Sequence, residues 1–111
     1  MKPEAIKPPW LIETIIQETG RFFGVSRKEL VSHSRLSDLV IPRHVAMYLA
    51  RRHTNESLPT IGACFRGRDH TTILYAVRKI ARWGSVNRRD VGAAIVAIER
   101  AVRQRQWERA A

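Results

Sequence analysis

Apolar residues return every three or four positions through most of this chain, the spacing of one face of an α-helix. The first such set is Trp10, Leu11, Ile15, Ile16, Phe22 and Phe23. It predicts an amphipathic helix with one weak turn around Thr19 and Gly20, ended by Gly24, a residue that accepts a left-handed backbone. Ahead of it, Pro3, Pro8 and Pro9 make residues 1–9 an expected flexible lead-in to one domain over residues 10–111. Ser26 followed by Glu29 reads as a capping box for a short second helix through Val31. The polar run from Ser32 to Asp38 keeps no period and is expected to be a loop. Pro42 suits the start of a third helix, where its missing N–H costs nothing; Ile41, Val45, Ala46, Leu49 and Ala50 then form the inner side. Arg43, His44, Arg51 and Arg52 are expected near its solvent-facing side. After a break across residues 81–87, Val91, Ala94, Ile95, Ile98, Ala101 and Val102 predict a last helix over roughly residues 88–110. The period lapses after Val102, so the end is expected to fray; the alternative is that Trp107 packs on something outside the chain.

Between these scaffolding elements, residues 55–82 carry a distinct pattern. Ser57 or Thr60 can open a short helix containing Leu58, Ile61, Ala63, Cys64 and Phe65. The turn Arg66-Gly67-Arg68 follows, and Asp69 is a ready N-cap for a second helix. Ile73, Leu74, Val77, Ile80 and Ala81 form the buried stripe expected of that helix. Thr71, Thr72, Tyr75, Arg78, Lys79 and Arg82 remain on its outer face. Helix, glycine turn and a second helix with a basic outer face read as a helix-turn-helix. No strand pattern or internal repeat competes, so the expected fold class is all-α, with about six helices around one core.

Charge sharpens this picture. The net charge is +10, and the stretch from Arg35 to Arg89 holds 11 Lys+Arg against 3 Asp+Glu, which is +8 of that total. Such asymmetry favours a polyanionic partner. The single cysteine, Cys64, excludes an internal disulfide and sits in an apolar set, as a packed thiol would. No apolar run approaches the roughly 18 residues needed to span a bilayer, and MKPEAIKPPW lacks the apolar block of a secretion signal. A soluble, cytoplasmic, nucleoid-associated protein is expected. His33, His44, His53, His70 and Cys64 show no metal-ligand spacing, and Asp69 and His70, adjacent on a helix, point in different directions. No metal, cofactor, small-molecule substrate or enzymatic activity is therefore expected.

Ser57-Leu58-Pro59, Ile61-Gly62, Phe65, Gly67-Arg68-Asp69-His70-Thr71-Thr72 and Arg78-Lys79-Ile80 closely resemble the signature of the C-terminal DNA-binding domain (domain IV) of DnaA. DnaA is the bacterial chromosomal replication initiator. The resemblance covers about residues 12–105. It implies a Trp-repressor-like all-α fold, and base contacts in the DNA major groove from Asp69, His70, Thr71 and Thr72. Their chemistry suits that task, since a carboxylate accepts from cytosine N4 and a threonine methyl meets a thymine methyl. In the family an arginine from the loop before the third helix enters the minor groove; carried over without gaps from Asp69, it falls on Arg35. Narrow A·T-rich grooves attract arginine through their enhanced negative potential. The resemblance further implies backbone contacts from Arg43, Arg51 and the Leu58-Pro59 turn. Arg68, Arg78, Lys79 and Arg82 are weaker candidates for phosphate contact, and His44 at the start of the third helix is a further backbone candidate.

The chain also departs from the family pattern. The loop around Arg35 is usually more basic, a glutamine usually stands where His44 does, and a glycine usually stands where Arg66 does. DnaA carries an ATPase module ahead of this domain; here no GxxxxGK[ST] string occurs, and Met1 with the Pro-rich start favours a free-standing relative. The expected function is sequence-specific binding of double-stranded DNA at DnaA-box-like sites of an origin or promoter, in initiation or regulation of replication, with competition against full-length DnaA as one route. The alternatives are a transcriptional regulator using the same fold, or an interaction adaptor that has lost DNA.

Overall fold

The computed structural model describes residues 9–84 and 88–110; for Pro9 and residues 107–110 it describes the backbone alone. Six helices follow in order: α1 (Pro9–Phe23), α2 (Arg27–Val31), α3 (Ser37–His53), α4 (Leu58–Cys64), α5 (His70–Arg82) and α6 (Arg89–Ala110). No strand occurs among the described residues, in agreement with the all-α expectation.

Local chemistry accounts for most of the boundaries. Gly24 takes φ +72 and lets the Val25 N–H return 2.9 Å to the Gly20 carbonyl, a Schellman-type close to α1. Ser26 caps α2 reciprocally: Glu29 N–H donates to Ser26 Oγ at 3.0 Å, and Ser26 N–H donates to Glu29 Oε1 at 3.2 Å. Of the two candidates for opening α4, Ser57 does so, accepting the Thr60 N–H at 3.2 Å. Residues 1–8 of the expected lead-in lie outside the described residues, and Pro9 already belongs to α1.

α3 is the hub, touching all five other helices. Leu39, Val45, Ala46, Met47, Leu49 and Ala50 are buried along it, covering far more than the one stripe read from its sequence. Around it pack Ile12, Ile15 and Ile16 of α1, Leu30 and Val31 of α2, Ile61 and Phe65 of the α4 region, Ile73 and Ile80 of α5, and Ile98 of α6. Polar contacts then orient α6: Glu99 lies 2.6 Å from His53 Nε2 and pairs with Arg52 at 3.3 Å, while Arg105 meets buried Glu18 at 2.9 Å.

Several expectations are corrected. α3 begins at Ser37, five residues before Pro42, so the loop is shorter than the polar run. Pro42 lies inside the helix with its side chain buried; the hydrogen bond it removes would have gone to Asp38, an exposed residue whose carbonyl water can serve. The stripe of α5 is rotated: Ala76 is buried, Leu74 is half-buried and Ala81 exposed. Phe22 is 49% exposed, not part of the core face of α1. α6 stays helical through Ala110; the side chain of Trp107 lies outside the described residues, as do residues 85–87 of the expected break.

Gly62 is the most closely approached of the glycines described. A Cβ there would stand 2.1 Å from the Arg68 carbonyl oxygen, whereas one at Gly24 would meet nothing within 4 Å. We expect Gly62→Ala to cost at least about 3 kcal/mol of unfolding free energy. Gly24→Ala, whose only penalty is a left-handed backbone, should cost about 1–2 kcal/mol. Urea unfolding followed by circular dichroism checks the order; equal losses would refute it.

Candidate nucleic-acid interface

The close approach at Gly62 sets the angle between α4 and α5. Arg68 N–H donates to the Gly62 carbonyl at 2.9 Å, and the chain reaches that point through two left-handed residues, Arg66 (φ 63) and Gly67 (φ 76). Arg66 is thus a non-glycine residue in a conformation that glycine adopts without cost, at the position where the family pattern usually has glycine. α5 then opens with Asp69 at the N-cap, its backbone carbonyl accepting from Thr72 N–H at 3.0 Å. The expected side-chain cap is absent. The Asp69 carboxylate instead accepts the Thr71 hydroxyl at 2.6 Å and lies 3.2 Å from His70 Nδ1. The Thr71 hydroxyl and His70 hold that carboxyl below its usual range. Asp69, His70, Thr71 and Thr72 are all exposed, so the first turn of α5 presents an acid, an imidazole and two hydroxyls to solvent.

Facing this turn is the segment between α2 and α3, held in place by two arginines. Arg43 is only 3% exposed. Its guanidinium donates to the carbonyls of Leu30 at 2.7 Å, Ser34 at 2.8 Å and Glu29 at 3.3 Å, and to Ser32 Oγ at 3.4 Å. Half-buried Arg68 donates to the carbonyls of Val31 at 2.9 Å and Phe65 at 2.8 Å, and also to that of Ser32. His33 Nε2 adds a contact of 3.2 Å to the Arg66 carbonyl. The placement of Arg43 on the solvent-facing side is therefore corrected, and both arginines proposed as phosphate contacts have most of their donors satisfied within the chain. The last carbonyls of α2 and those of the segment after it have no partner further along a helix, and a guanidinium with five donors can serve several at once.

The result is an open cleft of about 840 Å³. One wall is His33, Ser34 and Arg35; the other is Asp69, Thr72, Tyr75 and Lys79 on α5; Val40, Arg43 and His44 lie between. Exposed Arg35, distant in sequence, thus shares one cleft with Asp69 and Thr72. A second shallow depression along α5 is lined by Thr71, Leu74, Tyr75, Arg78, Lys79 and Arg82. Exposed Arg51 donates to the Glu56 carbonyl at 3.3 Å, just ahead of half-buried Leu58 and exposed Pro59 in the first turn of α4. The side chain not singled out from sequence is Tyr75, a 60% exposed aromatic. Its signal was available: a large ring on the polar face of α5, one turn beyond Thr71 and Thr72.

The His44 ring packs edge-on against Tyr75, 6.0 Å between centroids. Its Nδ1 is buried without a hydrogen-bond partner among the described residues. Burial, with the Lys79, Arg43 and Arg68 charges adding to it, pulls its pKa from 6.5 to about 4. The imidazole is neutral in the folded protein at pH 7. Burial and the neighbouring Arg68 also pull Arg43 to about 10, which leaves it charged. Cys64 is half-buried, and burial raises its thiol pKa. Among the described residues no three His, Cys, Asp or Glu side chains gather as metal ligands, and no helix is long and apolar enough to cross a membrane.

A six-helix domain whose α4 and α5 meet at a glycine turn, with a polar first turn on α5 and a basic cleft beside it, defines a helix-turn-helix protein. The family model described as bacterial dnaA protein helix-turn-helix matches residues 12–80. The chain belongs to that family. A chromosomal replication initiator protein DnaA of Streptococcus agalactiae serotype Ia is 52% identical over 69 residues, 62% of this chain and 15% of the relative. One from Rhodopseudomonas palustris strain BisB5 is 52% identical over 79 residues, 71% of this chain and 16% of the relative. The chain thus spans about one sixth of the length of these relatives.

The lowered pKa of His44 has a sign that can be checked. Between pH 6.5 and 4 the unfolded chain takes up a proton that the folded chain refuses, so stability falls as pH falls through that window and levels off below it. The loss should be about 1–3 kcal/mol. His44→Gln should remove this component of the pH dependence while leaving the acid loss from carboxylates. A pH series of urea midpoints for both proteins tests this; identical slopes between pH 6.5 and 4 would contradict a neutral, desolvated His44.

Proposed function

We propose that this domain binds double-stranded DNA sequence-specifically, at A·T-rich sites resembling DnaA boxes in an origin or promoter, and acts in the initiation or regulation of chromosome replication. The observation that carries the proposal is the shared cleft, with Arg35 on one wall and Asp69 and Thr72 on the other. α5 enters the major groove with Asp69, His70, Thr71 and Thr72 at base edges, while Arg35 enters the adjacent minor groove. The exposed N–H groups and dipole at the start of α5 favour nearby phosphate. Arg51, the Leu58-Pro59 turn, Arg78 and Lys79 position the duplex through its backbone and make affinity salt-dependent. Arg43 and Arg68 act from beneath, by holding the loop that carries Arg35. His44 does the same for the cleft floor.

The same sites would be those of full-length DnaA, so the domain competes with it for them. In footprinting and direct titration on a duplex selected from a random pool, wild-type protein should displace DnaA. Arg35→Ala and Thr71→Ala should each lose about 1–3 kcal/mol on the selected duplex and much less on random duplex. Arg51→Ala should weaken both alike, with a shallower salt slope. Equal losses on both duplexes in all three variants would reduce the domain to a nonspecific electrostatic binder. Flat, negligible binding at low salt would favour an adaptor.

A further inference from the structure

A single exposed aromatic side chain is ordinary on a protein surface, so what distinguishes one is how its ring is held and what it stands beside. Tyr75 is one of four large apolar or aromatic residues exposed in the described chain, and of these it alone lies on α5. It also lines both the cleft shared with Arg35 and the depression on the far flank of α5. Its ring is not loose. His44 supports it edge to face at 6.0 Å and 83°, and Lys79 Nζ lies 5.7 Å from its centroid. Lys79 is itself anchored 4.8 Å over the Trp83 ring, which packs against the core. An aromatic plane is thus braced from α3 and from the next turn of α5, yet 60% of the residue faces solvent.

Its register on the helix is what gives that plane a use. Positions three and four apart share a helix face, so Tyr75 stands one turn beyond Thr72 and Thr71. One turn advances about 5.4 Å along the axis, against about 3.4 Å per base-pair step. A helix that meets base edges with Thr71 and Thr72 would therefore carry Tyr75 to a base about one or two steps further along. A braced ring with an exposed apolar surface suits the thymine C5-methyl, the apolar feature of the major groove.

Resting on the DNA-binding reading above, we propose that Tyr75 is an additional specificity-determining residue, contacting a thymine methyl next to the bases met by Thr71 and Thr72, with His44 as its positioning residue. The hydroxyl has no hydrogen-bond partner among the described residues and is not required for this contact.

The test replaces each thymine of the selected duplex, one at a time, by deoxyuridine, which lacks only the methyl group. Affinity is measured by competition titration with wild type, Tyr75→Phe, Tyr75→Ala and His44→Gln. For wild type and Tyr75→Phe, one thymine next to the Thr71–Thr72 positions should show about a fivefold loss on losing its methyl. For Tyr75→Ala that loss should fall to about one-fold at that position while other methyl effects remain. His44→Gln should diminish it, a readout that reduced stability alone would not move. If every thymine responds identically in wild type and Tyr75→Ala, Tyr75 reads no methyl and the proposal is overturned. If wild type selects no sequence from the pool, the DNA-binding reading fails and this proposal fails with it, a result distinct from the first.

Discussion

Two guanidinium groups placed inside the protein determine where the surface chemistry sits. Arg43 reaches from α3, and Arg68 from the turn before α5, onto the last turn of α2 and the short segment that follows it. Between them they engage the carbonyls of Glu29, Leu30, Val31, Ser32 and Ser34, leaving Arg35 as the next residue, exposed. Removing either would leave several carbonyls without donors in a half-buried segment, each worth about 1–3 kcal/mol if truly unsatisfied. Burial first, and then the neighbouring Arg68 charge, lower the pKa of Arg43, so the two cations also repel. The carbonyl partners offset that repulsion, and serving them takes the several donors of a guanidinium as well as its charge.

This clasp redistributes the meaning of the +10 charge. Arg27 pairs with Glu13, Arg105 with Glu18, Arg52 with Glu99 and Arg88 with Asp90, and these fasten helices or cap local turns. Arg43 and Arg68 serve carbonyls. The outward-facing cations in and beside the cleft therefore include Arg35, Arg66 and Lys79, with Arg78 further along α5 and Arg51 ahead of α4, around an acidic N-cap residue and two threonines. Net charge favoured a polyanion; the burial pattern says which cations can reach one without unfolding their surroundings.

Much of the scaffold was legible because its signals are local. Gly24, the Ser26–Glu29 box, Ser57 and the apolar repeat of α6 each act within a few residues. The start of α3 was not, because Leu36 at its N-cap provides no side-chain hydrogen bond and Pro42 imitates a start signal. Burial of Arg43 and Arg68 was hidden for another reason: apart from Phe65, three residues before Arg68, their partners lie 9 to 37 residues away, beyond the reach of any local signal. Asp69 misled in the opposite direction, since a hydroxyl two residues on draws the carboxylate away from the backbone. The pairing of Arg35 with α5 came from family resemblance alone, and periodicity could not have supplied it.

The central claim is that the Arg43–Arg68 clasp makes Arg35 and α5 one composite surface. A double-mutant cycle on the selected duplex, using Arg35→Ala, Arg68→Lys and the double variant, measures it directly, with circular dichroism confirming that each remains folded. A lysine keeps the charge at position 68 but cannot bridge three carbonyls in the same geometry. Arg35→Ala should weaken binding strongly in the wild-type background and far less in the Arg68→Lys background, giving a coupling of about 1 kcal/mol or more. Losses that add to within about 0.3–0.5 kcal/mol would show that Arg35 acts independently of the clasp, and would contradict the account.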